Sequence, residues 1–99
     1  MRWYRFASPD KKRPVLILTR DSILESLGEV TIAPVTTTIR DIPSEVVLTE
    51  EDGMPQACAV NLDHVQTVAK GKLGSLITTS PMVRMQEVRA ALLFAMGFR

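Results

Sequence analysis

Two short stretches hold the residues best suited to chemistry: Lys11, Lys12 and Arg13 ahead of the run PVLIL, and Thr36, Thr37 and Thr38 followed by Arg40. An arginine at the head of an apolar strand presents five donors in a fixed fork that suits phosphate oxygens, and it stays cationic at physiological pH. Threonines that follow a buried strand such as Ile32 to Val35 place hydroxyls on alternating sides of its end, and each hydroxyl can donate and accept. Together these groups can hold a phosphate and stabilise negative charge. Taken singly they fit plainer roles, an arginine snorkelling from a strand end and β-branched residues on a half-exposed strand. Lys11, Lys12 and Arg40 are candidates for phosphate contacts that position a strand without reading its sequence.

The whole chain limits what such a site can serve. It has 99 residues, 45% of them hydrophobic and 23% charged, which is the profile of one small globular domain spanning 1–99. The formal net charge of +1 provides no general basic field, so a polyanion site must be local. Positive residues gather early, at Arg2, Arg5, Lys11 to Arg13, Arg20 and Arg40, ahead of Glu45 and the run Glu50, Glu51, Asp52. The single cysteine, Cys58, rules out an internal disulfide and suits a reducing compartment; it sits in an apolar strand and is expected to be buried and inert. One histidine, His64, makes a metal site improbable, and no cofactor is expected. No apolar stretch approaches membrane-spanning length and the opening MRWYRFASPD lacks a signal-peptide core, so a cytoplasmic protein without a membrane partner is expected.

The elements that must position these residues follow from pattern. Trp3 to Phe6 alternates as a strand with one wet face, Phe6 being assigned to the core, and ASPDKK then breaks into a loop. Val15 to Leu18 is a continuous β-prone run, the signature of a strand covered on both faces. Asp21 or Ser22, with Glu25, can cap a short helix that stops at Gly28. Further strands are expected at Val30 to Val35, Glu45 to Leu48, Cys58 to Leu62 and Val65 to Lys70. EEDG at Glu50 to Gly53 makes a turn, and LITTSP closes the β region. Ser80 and Pro81 then open an amphipathic helix carrying Met85, Val88, Leu92 and Met96 on one face and ending at Gly97. The class is mainly β (α+β), a small β-barrel with a short internal helix and a C-terminal helix.

KRPVLIL at Lys12 to Leu18, followed by VTIAPVTTTIRDIPSEV at Val30 to Val46, resembles the MazF/PemK family of toxins from bacterial toxin–antitoxin systems. NLDHVQTVAKGKLGSL at Asn61 to Leu76 and EVRAALLFAMGF at Glu87 to Phe98 extend the resemblance to roughly nine-tenths of the chain. The family usually opens with a glycine and an acidic residue, whereas this chain starts Met1, Arg2, Trp3.

The resemblance implies an SH3-like barrel and a metal-independent endoribonuclease acting on single-stranded RNA, which arrests translation. The family's catalytic pair falls on Arg13 and Thr36. Asp63 and His64 resemble its base-reading pair, with histidine in place of glutamine, and Thr37, Thr38, Lys11, Lys12 and Arg40 join them as substrate-binding candidates. Attack of a 2′-hydroxyl on the adjacent phosphorus needs a proton removed, a dianionic phosphorane stabilised and the leaving 5′-oxygen protonated. Arg13 suits the charge and Thr36 the phosphate anchor, which implies a 2′,3′-cyclic phosphate and a 5′-hydroxyl as products. A homodimer and an acidic cognate antitoxin are the implied protein partners. Two rivals stand beside this reading. One is a gyrase poison on a similar barrel, which depends on a C-terminal tryptophan-centred tail, whereas here the only tryptophan is Trp3 and the chain ends AMGFR. The other is a barrel that binds RNA without cutting it.

Overall fold

The structure, a computed structural model, describes residues 1–6, 12–18, 28–79 and 82–98, with Met82 described by its backbone alone. Lys11 and its loop, the short helix expected after Asp21, and the Ser80 and Pro81 start of the last helix lie outside the described residues.

The run Val15, Leu16, Ile17 continues the strand begun at Lys12 and has no residue that needs solvent on either side. In β2 (Lys12–Ile17), Leu16 faces a core shared with Ala33, Val35, Val60 and the C-terminal helix. Val15 faces a second core with Tyr4, Val30 and Ile32. Burial on both faces is what a continuous apolar run demands. β1 (Arg2–Arg5) lies antiparallel on one edge of β2, with Tyr4 opposite Arg13, and β3 (Glu29–Thr36) lies antiparallel on the other, with Val15 opposite Pro34. Phe6 packs edge-on against Tyr4, ring centroids 4.8 Å apart, as part of the second core.

β3 is long enough to serve two partners on its far edge. Its first half pairs with β6 (Gln66–Ala69), and its last two residues pair with β5 (Cys58–Asn61), which pairs in turn with β4 (Glu45–Leu48). β7 (Leu73–Leu76) pairs with β1. The sheet therefore runs β4-β5-β3-β2-β1-β7 with β6 branching from β3, and its hydrogen bonding does not close into a complete barrel. The β region closes at the start of LITTSP, with the strand Leu73–Leu76 paired to Arg2 and Tyr4 of β1 and the Ile77 N–H donating to the Met1 carbonyl.

α1 (Met82–Ala95) lays Val88 and Ala91 into the first core, with Met85 and Leu92 packed against it. Met96 departs from the expected face: it is 63% exposed, because the helix has already ended. Gly97 adopts φ +83°, its N–H donates to the Phe94 carbonyl and that of Phe98 to the Leu93 carbonyl, the paired bonds of a left-handed helix stop.

The EEDG segment forms a 3-10 turn, Glu50–Asp52, that ties sheet to helix. The Thr49 N–H donates to Asp52 Oδ2 at 2.9 Å, and Arg84 Nε of α1 donates to Asp52 Oδ1 at 2.9 Å. The Thr49 N–H and then the Arg84 guanidinium hold the Asp52 carboxyl below its ordinary range. Gly53 follows at φ +88°, and a Cβ there would meet Thr78 Oγ1 at 2.5 Å, so glycine alone fits. Because the Asp52 pKa is depressed by folding, its stabilisation is complete above the unfolded aspartate range and fades as pH falls through the lower, folded pKa. Asp52→Asn is expected to cost about 1–2 kcal/mol at neutral pH and less at about pH 3, below the unfolded aspartate range. Urea titrations at the two pH values, comparing the variant with the parent, measure this difference.

Candidate active site

The ends of β2 and β3 create the site. The β2–β3 ladder runs from Ile17 opposite Ile32 to Val15 opposite Pro34, and Arg13 and Thr36 lie two residues beyond that last pair on their two strands, at the same end of the ladder. They form a ridge between two depressions of about 220 Å³ each, and both line each depression. On one side the ridge meets Arg40, Asn61 and His64; on the other it meets Lys12, Thr37, Trp3 and the segment Met54 to Gln56. The candidates Lys12, Thr37, Arg40 and His64 thus converge on the Arg13–Thr36 pair from separate parts of the chain.

The Thr36 hydroxyl is oriented locally. Its Oγ1 accepts the Thr38 N–H at 3.1 Å, a side-chain turn of the kind threonine favours at strand ends, and this leaves the hydroxyl proton to donate outward. Thr38 thus acts through its main chain and does not line either depression. Arg13 is exposed, with its fork open to solvent at the ridge.

His64 ends a 3-10 turn, Leu62–His64, between β5 and β6, where the Asn61 side chain accepts the Asp63 N–H at 3.0 Å and caps the turn. Asp63 is exposed, lines neither depression, and accepts a hydrogen bond from the buried Ser44 hydroxyl at 2.5 Å. That bond fastens the turn that presents His64, and of the two only His64 lines the depression beside Arg13 and Thr36. Arg40 is held from its backbone: its N–H donates to Glu45 Oε1 at 2.9 Å, while its side chain remains 57% exposed at the rim.

Cys58 is 3% exposed in the floor beside Met54, and burial pushes its thiol upward, followed by the charge of Asp52. It remains a thiol at neutral pH and has no nucleophilic role there. Among the described residues no three His, Cys, Asp or Glu side chains are placed to hold a metal ion, and no helix is long and apolar enough to cross a membrane. Sequence reasoning missed Met54, Pro55, Gln56 and Asn61, which carry neither charge nor an aromatic ring to mark them, and it gave Trp3 no place in the site.

Residues 3–96 match the family described as PemK-like, MazF-like toxin of type II toxin-antitoxin system. Endoribonuclease MazF3 of Mycobacterium tuberculosis is 43% identical over 77 residues, covering 78% of this chain and 75% of that protein. Probable endoribonuclease MazF5 of the same species is 37% identical over 91 residues, covering 91% and 84%. Among solved structures, the M. tuberculosis toxin MazF-mt6 superposes with a TM-score of 0.88 at 31% identity, covering 100% of this chain and 99% of that one. A mycobacterial endoribonuclease in complex with its cognate antitoxin gives 0.83 at 26% identity, covering 99% and 93%. With its antiparallel sheet, its C-terminal helix and a match that spans nearly its whole length, the chain belongs to the PemK-like, MazF-like toxins of type II toxin–antitoxin systems.

Proposed function

We propose that this chain is a metal-independent endoribonuclease that cuts single-stranded RNA in the cytoplasm as a homodimer, arresting translation until a cognate antitoxin covers the Arg13–Thr36 ridge. The observation that carries the reading is the ridge: Arg13 and Thr36 line the same two depressions at the ends of β2 and β3, with Lys12 in one and Arg40 in the other. The Arg13 fork stabilises the charge of the phosphorane formed by 2′-hydroxyl attack, and the outward Thr36 hydroxyl donates to a phosphate oxygen and fixes it for in-line displacement. Lys12 and Arg40 hold the neighbouring phosphates. The products are a 2′,3′-cyclic phosphate and a 5′-hydroxyl. His64, exposed at the rim, donates to or stacks on a base, as single-strand recognition requires.

A long single-stranded RNA incubated with the protein in excess EDTA tests this. Cuts at a repeated short site, with 5′ ends that a kinase labels without prior dephosphorylation, are the expected result. No cleavage by a folded protein, or ends carrying a 5′-phosphate, would remove this mechanism.

A further inference from the structure

Beyond the Arg13–Thr36 ridge, the depression on the Trp3 side has features that phosphate binding does not explain. Its floor is apolar, made by the buried Val35, Met54 and Cys58, whereas a phosphate site needs donors there. Trp3, half-buried, forms one wall, and Pro55 and Gln56 line the same cavity from the loop after Gly53. At about 220 Å³ it is smaller than the roughly 300–1,000 Å³ that drug-sized ligands occupy, so it suits a single ring system. The cavity shares Arg13 and Thr36 with the candidate phosphate site and has the Lys12 ammonium among its lining.

We propose that this cavity is a nucleobase subsite: it takes the unstacked base of one nucleotide next to the phosphate held by Arg13 and Thr36, with Trp3 as its aromatic wall and Gln56 as the side chain that reads the base edge. The inference rests on the RNA-cleaving reading of the ridge and adds the residues that select a base. A nucleotide satisfies both halves of the cavity, its ring meeting the apolar floor and its phosphate the cations at the rim. An apolar side chain of a protein partner would satisfy only the floor. The Gln56 amide offers a donor and an acceptor side by side, which matches the paired groups along a base edge, and Trp3 offers a π-face that any base can stack on. Lys12 and Trp3 also line the next depression along, between β1 and the turn before β7, so the strand has a continuous exit past the subsite.

Trp3 is the only tryptophan, which makes its fluorescence a direct reporter. The experiment titrates the protein with a short single-stranded oligonucleotide of its cleavage sequence, made uncleavable by 2′-deoxy substitution, and follows both anisotropy of the labelled strand and Trp3 emission. A series with one abasic position at a time accompanies it. Saturable quenching is expected, and it should vanish at one abasic position, with affinity there reduced about tenfold or more. Gln56→Ala should relax the preference at that same position in mapped cut sites, with cleavage of the parent sequence falling relative to cleavage of sequences changed only there. Binding by anisotropy with no change in Trp3 emission would overturn the subsite and leave the nuclease reading standing. An unchanged cut-site preference in an active Gln56→Ala protein would remove Gln56 as the reader. No oligonucleotide binding at all would sink both the subsite and the RNA reading beneath it.

Discussion

Arg13→Ala is expected to lower kcat/KM on single-stranded RNA by about a thousandfold while leaving the urea midpoint almost where it was. The two halves of that expectation have different causes. Arg13 is exposed at the strand end and lies in neither core, so removing its side chain leaves the packing of Val15 and Leu16 intact. Substitutions of that kind stay within about 0.5 kcal/mol. The rate falls because a cation fixed where charge develops in the transition state acts with no cost of reorganisation, and removing one such group typically costs two to three powers of ten or more.

Arg13→Lys should recover only part of the activity, since a point charge cannot bind two phosphate oxygens in one plane. Thr36→Val keeps shape and removes the hydroxyl, and Thr36→Ser restores it; the first is expected to fall by about tenfold to a hundredfold and the second to stay near the parent. If the pair works as a unit on one phosphate, the rate deficit of the double variant will be much smaller than the product of the two single deficits. Single-turnover cleavage in EDTA measures all of this, and near-parental cutting by a folded Arg13→Ala protein would take the chemistry away from the strand ends.

The ridge is legible in the sequence because both of its residues sit on strong local signals. PVLI after Arg13 has the pattern of a strand covered on both faces, and APVT ends where the apolar run ends. Once β2 and β3 pair through Val15 and Pro34, Arg13 and Thr36 follow two residues on at the same end of the ladder, and both line the same two depressions. The helix stop at Gly97 is legible for a similar reason, since left-handed backbone strongly favours glycine.

The walls of the site are another matter. Met54, Pro55 and Gln56 reach the ridge only because the turn at Gly53 reverses the chain and β5 then pairs with the last residues of β3, which brings together distant parts of the sequence. Their types announce no chemistry. His64 is legible as a candidate but its position is not, because a strand pattern cannot show that Asn61 caps a turn there or that Ser44 draws Asp63 aside. Met96 shows the complementary error: spacing of three and four predicts a shared face only while the helix continues, and here it ends one residue earlier.

Glu45 is a residue whose importance the sequence does not announce, and it carries the second large expected effect. Its side chain is 0% exposed, and Oε1 accepts the Arg40 N–H at 2.9 Å. Oε2 is buried with no hydrogen-bond partner among the described residues, and Arg40 Nη1 lies 3.9 Å from it. A buried carboxylate oxygen without a donor is costly, so the anchor persists because the other oxygen fixes the backbone of the segment that leads from Thr36 to β4. Glu45→Ala is expected to destabilise the protein by about 1–3 kcal/mol, since it leaves the Arg40 N–H without its acceptor and opens space in a packed region. Glu45→Gln keeps an acceptor oxygen and should cost less. Arg40→Ala should behave in the opposite way: its backbone bond survives and its side chain is mostly solvated, so stability stays within about 0.5 kcal/mol. RNA binding by Arg40→Ala should nevertheless weaken, and the slope of log K against log salt should shrink by about 0.7, the change expected when one phosphate fewer is neutralised. Urea titration and salt-dependent binding on the same three variants separate the backbone anchor from the phosphate-binding side chain. Equal destabilisation by Glu45→Ala and Arg40→Ala would show that the 3.9 Å ion pair, rather than the backbone bond, holds this edge of the site.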